Sequence, residues 1–285
     1  MSRLAPFDGM SDIDKSITIE IIRVDHHAEF AQSHPMPGGD KMLDPDANYS
    51  EGASYYSSGR FDEAIECLDK AIECDHLHAD SWYLKGVALR KLHRLEEALD
   101  CFDVVLELDP ESTRTWRNKA IVLNEMGEHE KALECCNKAL SEVPSDPRNW
   151  IVKGYALHSL GRFQRAAEAY DRAIEIDPLG PRAGWAWNNK GAALDNLGRH
   201  EDAIECYDES IMTDPFDFYT WNNKGVSLIA LKRSEEAADC FRKAVEIWPQ
   251  YSTAWRNLGL ALKSLHWDEE AEEALERAED LDHGR

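Results

Sequence analysis

From residue 45 onward, small and apolar residues recur every three or four positions, in blocks bounded by Gly, Pro and charged residues. That spacing predicts amphipathic helices. The blocks themselves repeat: Trp82, Trp116 and Trp150 stand 34 residues apart, and Trp187, Trp221 and Trp255 continue at 34 after a single step of 37. Four residues behind each Trp comes Gly86, Ala120, Gly154, Gly191, Gly225 or Gly259. Three further on comes Leu89, Leu123, Leu157, Leu194, Leu228 or Leu262. An Ala follows that Leu by nine residues, and an aromatic or similar residue follows the Ala by four, as at Phe102, Tyr170, Tyr207 and Phe241. Pro110, Pro144, Pro178, Pro215 and Pro249 close five of the six units. Trp, Gly and Leu at these offsets share one face of a first helix, while Ala and the aromatic share one face of a second. The two faces pack together, small residues letting the backbones approach and rings filling the remaining space.

This skeleton resembles the tetratricopeptide repeat, with its 34-residue period and its W-x-x-L-G-x-x-Y, A-x-x-x-F and P positions. The resemblance implies an all-α fold, a right-handed α-solenoid of seven stacked helix-turn-helix repeats. They are assigned to 45–78, 79–112, 113–146, 147–180, 184–217, 218–251 and 252–285, with an insertion at 181–183. No single hairpin can bury its apolar faces alone, so stacking supplies the core and an extended concave surface.

The ends and one junction depart from the pattern. Asn48 stands where other repeats have Trp, and His76 where they have Pro, which suits an exposed cap. In the seventh repeat Glu272 and Glu279 replace the apolar or small residues of the other second helices, such as Leu133 and Leu140. A buried glutamate without a partner is costly, so no eighth repeat is expected there and the chain reads as a complete protein. Gly127 and Gly161 mark turns inside repeats. The LGPRA stretch from Leu179 to Ala183 is expected to bend or loosen the stack. Residues 1–44 form a non-repeat segment, with a strand expected at 17–24 and a flexible linker at 31–40 around Pro35, Pro37, Gly38 and Gly39. His26, His27 and His34 lack the further ligands of a tetrahedral site, so no metal is expected.

Composition narrows the function. A formal charge of −23 argues against nucleic acid, whose phosphates require a basic footprint. No signal peptide or apolar span is recognisable, which points away from membranes and toward the cytoplasm. Cys67, Cys101, Cys135, Cys206 and Cys240 recur at one repeat position, too far apart for disulfides, and are expected to be buried thiols. Lys85, Lys119, Lys153, Lys190 and Lys224 form a second column, whose stems should cover the helix pair while the amines reach outer carboxylates.

The resemblance places a ligand groove on the first helices, at repeat positions 2, 5, 6, 9, 12 and 13. Those positions hold Arg90, Lys91, Arg114, Arg117, Arg148, Arg256 and Lys263 against Asp46, Asp80, Glu125 and Asp195, a locally basic surface in an acidic chain. An acidic peptide segment is therefore expected. Asn118, Asn189, Asn223 and Asn257 at position 6, joined by Asn188 and Asn222 at position 5, offer amides for the backbone of an extended peptide. The Lys, Asn, Asn, Lys, Arg set with which a chaperone-binding subgroup clamps a C-terminal carboxylate is missing. Only 44 residues are not repeat, too few for a catalytic domain, and no cofactor is implied. The chain reads as a non-catalytic adaptor for a protein or peptide. The alternatives are a regulatory subunit of an enzyme complex, or a weakly self-assembling module using exposed Trp185, Trp248 and Trp267.

Overall fold

The computed structural model describes residues 44–284, so the strand expected at 17–24 and the linker at 31–40 lie outside it. The described residues form fourteen helices in two compact units, divided between Ser145 and Asp146. The first unit holds α1 (Pro45–Ser57), α2 (Phe61–Cys74), α3 (Ala79–Lys91), α4 (Leu95–Leu108), α5 (Thr113–Glu125) and α6 (His129–Glu142). The second holds α7 (Pro147–Ser159), α8 (Phe163–Ile176), α9 (Ala183–Asn196), α10 (His200–Thr213), α11 (Phe218–Ala230), α12 (Ser234–Ile247), α13 (Ser252–Ser264) and α14 (Asp268–Asp282). Odd and even helices are the first and second arms of successive hairpins, and within each unit every second arm packs on the next first arm.

Local chemistry sets the helix ends. Asp44, Asp146 and Asp217 cap α1, α7 and α11 by accepting from backbone N–H groups two residues on, and Pro45 and Pro147 occupy a first turn that needs no donor. The turns inside the hairpins need one left-handed residue. Gly59, Gly127, Gly161 and Gly198 supply it, and His93, Lys232 and His266 hold the same geometry in the remaining three.

Inside four of the seven hairpins the closest approach is a glycine against a ring, and in the first and last it is Gly52 against Leu68 and Gly259 against Leu275. A Cβ on Gly86, Gly154, Gly191 or Gly225 would lie 2.5–2.7 Å from Phe102, Tyr170, Tyr207 or Phe241. The third hairpin solves the same problem in reverse, pairing Ala120 with the small Cys136. All four rings are buried to 1% exposure or less. The repeating tryptophans, by contrast, are only half-buried. The indole N–H groups of Trp82, Trp116, Trp221 and Trp255 donate at 2.8–3.0 Å to the carbonyl six residues earlier, that of His76, Pro110, Pro215 or Pro249. Each indole thus staples the loop before its helix, with its edge left at the surface.

The lysine column behaves as the sequence implies. Lys85, Lys119, Lys153, Lys190 and Lys224 lie 4.9–5.9 Å over the indoles three residues back. Lys85, Lys190 and Lys224 reach Asp69, Asp171 and Asp208 of the preceding second helix at 2.5–2.6 Å, and Lys119 reaches Asp103 in the same way. The five recurring cysteines are buried. Burial pushes the thiols of Cys101, Cys135, Cys206 and Cys240 up to about 11, so they stay protonated at neutral pH. In the folded protein Ellman's reagent should label those four slowly, and unfolding in urea should release all seven cysteines to rapid reaction. Fast labelling of the native column would contradict their placement.

Three expectations need correction. Asn48 is buried at 7% exposure, its amide 3.9 Å from Cys74 Sγ, so the polar substitution fills a small site in the stack. The inserted residues at 181–183 do not part the helices. They are absorbed by a longer loop and by α9 starting four residues before Trp187, where other first helices start three before their Trp. Trp185 is consequently half-buried, meeting the Tyr170 ring edge-on at 6.3 Å beside buried Ile174 and Ala186. Glu272 and Glu279 are exposed on α14. Replacing both with Leu should create an apolar face and drive concentration-dependent association in light scattering, and a variant that stays monomeric would sink the idea that they cap the stack.

Candidate peptide-binding groove

In both units neighbouring first helices approach one another, as α1 with α3 and α11 with α13, whereas no pair of second helices comes as close. The first helices therefore line the inner, concave side of each unit. Charge is segregated accordingly: the seven first helices hold twelve Lys or Arg against five Asp or Glu, and the seven second helices eight against 34.

In the first unit the groove cations are already engaged. Arg114 is ion-paired to Asp80 one repeat earlier and stacks 4.4 Å over the Tyr83 ring. Asn118, 3% exposed, donates from one amide nitrogen to the Tyr83 hydroxyl and to the Arg114 carbonyl, both at 2.9 Å. Its buried Oδ1 has no hydrogen-bond partner among the described residues. Arg90 is buried beside Glu125, with its Nη1 at 2.8 Å, and Arg117 is half-buried.

The second unit carries most of the asparagines. Asn223 donates to Asn188 Oδ1 at 3.1 Å, and Asn257 donates to Asn222 Oδ1 at 2.9 Å, so positions 5 and 6 of successive repeats clasp each other. Asn189 donates to the Trp185 carbonyl at 2.8 Å. Of these five only Asn223 is half-exposed, the others being buried. Arg148 is folded back on the carboxylate that caps its own helix, Asp146, at 2.8 Å, and Arg256 is paired with Asp282. The asparagine column is thus first an inter-repeat clasp, and the arginines are first neutralised by neighbouring carboxylates.

Two features escaped the sequence reading. Asp195 is a node: Tyr207 and Ser227 donate to its Oδ2 at 2.8 and 2.6 Å, and His200 Nδ1 lies 2.9 Å from its Oδ1. Burial, then the adjacent carboxylate, holds the Tyr207 hydroxyl well above the ordinary phenol range, so it remains a donor. The second is apolar surface on the inner side. Val226 and Ile229 are half-buried, and Leu260 is 48% exposed. At the start of α11, Phe218 and Tyr219 cluster with Trp248 and Tyr251 at centroid distances of 4.1–5.8 Å. Lys263 is exposed nearby in the repeat register and makes no ion pair among the described residues.

Among the described residues no group of three or more His, Cys, Asp or Glu is placed to hold a metal, and no helix is long and apolar enough to cross a membrane. Comparison with known proteins gives the fold a family. No curated protein sequence matches the chain significantly. Solved structures with the same architecture include a tetratricopeptide repeat protein from Parabacteroides merdae, with a TM-score of 0.67 and 18% identity over 83% of this chain and 93% of that one. Another is the APC/C hetero-tetramer Cut9–Hcn1, with a TM-score of 0.68 and 15% identity over 87% of this chain and 46% of that one. A third is YrrB, described as a repeat protein with an unusual peptide-binding site, with a TM-score of 0.52 and 24% identity over 67% of this chain and 96% of that one. Tetratricopeptide repeat family models match residues 49–113, 88–147 and 117–181, and again 184–217 and 218–251. On these matches, the chain belongs to the tetratricopeptide repeat family.

Proposed function

We propose that the protein is a non-catalytic scaffold in the cytoplasm that holds an extended, acidic segment of a partner protein along its first helices. The observation that carries this reading is the charge segregation, twelve basic against five acidic residues on the inner arms and the reverse on the outer ones. An acidic segment is drawn to the inner side and repelled from the outer. The arginines act by exchange within each unit: in the first a ligand carboxylate replaces Asp80 at Arg114, with Arg117 on the same helix, and in the second a ligand carboxylate shares Arg148 with Asp146. Asn118, Asn188, Asn222, Asn223 and Asn257 hold successive helices at a fixed spacing, Asn189 binds a carbonyl of its own helix, and half-exposed Asn223 contacts the ligand backbone. Ile229 and Leu260 receive apolar side chains of the same segment. The fold-level likeness to YrrB, a protein described by its peptide-binding site, agrees with this use of the groove.

The test begins with peptides selected from a random library against the intact protein. Acidic sequences should be enriched. Replacing Arg114, Arg117 and Arg148 with Ala should weaken their binding strongly at low ionic strength and flatten its salt dependence. Asn223→Ala should weaken binding at every salt concentration by about 0.5–1.5 kcal/mol, with thermal unfolding measured alongside because the same amide clasps Asn188. Enrichment of basic peptides, or binding indifferent to both changes, would reject the proposal.

A further inference from the structure

The outer side of the second unit offers a site of opposite preference. Where α8 and α10 stand apart over α9, they leave a cleft of about 540 Å³. Trp187, Leu194 and Ala167 give it apolar lining, and Asp171, Glu205 and Glu209 give it carboxylates. Ala167 leaves room here: the equivalent residues are the larger Ile65, Leu99, Leu133 and Ile204 in four other repeats, and a second Ala, Ala238, in the sixth. Lys190 in the cleft is already bound to Asp171 at 2.6 Å, and Arg199 to Asp202 at the same distance. Asp208 is bound to Lys224 at 2.5 Å. Glu205 and Glu209 are left over. They are exposed one turn apart on α10 and enter no ion pair among the described residues. Like charges four apart weaken a helix, so nothing in the fold itself calls for this pair.

We propose that the cleft binds a basic segment of a partner protein, an Arg or Lys side chain entering between Glu205 and Glu209 with its aliphatic stem against Ala167 and Leu194. Charge complementarity selects this occupant. The indole of Trp187 already carries the Lys190 ammonium at 4.9 Å, so an entering cation is held by the two free carboxylates. A ligand here does not compete with one on the inner side, so the protein joins an acidic and a basic partner segment on opposite faces of one unit.

The site is tested by fluorescence anisotropy with a labelled nonapeptide of alternating Arg and Ser, at about 0.15 M salt to suppress diffuse attraction. Ala167→Leu changes no charge and fills the cleft with the residue already accommodated at Leu99 and Leu133; it should raise the dissociation constant by about tenfold or more. Glu205→Gln with Glu209→Gln should do the same. Glu130→Gln with Glu134→Gln on α6 removes equal charge elsewhere and should change affinity by less than about twofold. If both double variants weaken binding equally, or neither does, the attraction is diffuse and the site is wrong. A folded Ala167→Leu protein that binds normally would also overturn it, and should that variant fail to fold, the comparison of the two glutamine pairs decides.

Discussion

Phe241→Ala should destabilise the protein by about 3–5 kcal/mol, because a large ring is deleted from a site that cannot collapse. The ring is 1% exposed and lies against Gly225, where even a Cβ would come within 2.5 Å of it. Trp221→Ala, at the signature residue of the same hairpin's first helix, should cost less, about 1–2 kcal/mol, since its half-buried indole has less area to lose from the core. Urea unfolding followed by both far-ultraviolet circular dichroism and tryptophan fluorescence measures the two, and divergence of the probes would reveal repeats unfolding separately. A larger loss at Trp221 than at Phe241 would reverse the assignment of the core.

Asp195→Ala should also destabilise the second unit, through a buried polar group rather than a cavity. It leaves the Tyr207 hydroxyl, in a residue 1% exposed, without its acceptor, and an orphaned buried donor costs about 1–3 kcal/mol. Ser227 suffers less because it also donates to the Asn223 carbonyl at 3.2 Å. Two further variants isolate the cause. Asp195→Asn keeps an acceptor and should recover most of the loss, and Tyr207→Phe in the Asp195→Ala background should recover part of it by removing the donor. If Tyr207→Phe adds its own cost in full to that of Asp195→Ala, the two residues are not coupled.

The hairpins were legible in the sequence because packing two helices through a glycine and a ring leaves a mark at fixed offsets, and stacking forces that mark to recur. The depth of each column was not. Trp150 reads as a core residue from its phase, yet the indoles lie half out because the N–H must reach a loop carbonyl, while Tyr170 and Phe102 carry the buried role. The first helices were legible as the inner side of each unit, and the electrostatics of that side were misread. Counting charges by column treats every arginine as free, whereas Asp80 and Arg114 are 34 residues apart and Arg90 and Glu125 are 35, spacings that bring one repeat against the next. The same spacing of 35 joins Tyr83 to Asn118, Asn188 to Asn223 and Asn222 to Asn257. These pairings were present in the sequence as one-repeat offsets. Asp195 was harder to find, since its partners lie 5, 12 and 32 residues away and share no period.

The central claim, that the first helices hold the partner, is tested most directly by site-specific photo-crosslinking. A benzophenone side chain is placed in turn at Tyr219, Ile229 and Leu260 on the inner side, and at Glu236 and Glu246 on the outer arm α12. The probe is a selected acidic peptide carrying biotin. The account predicts crosslinks from the three inner positions, with order along the peptide following the order of the helices, and none from the two outer ones. Crosslinks confined to Glu236 and Glu246 would contradict it.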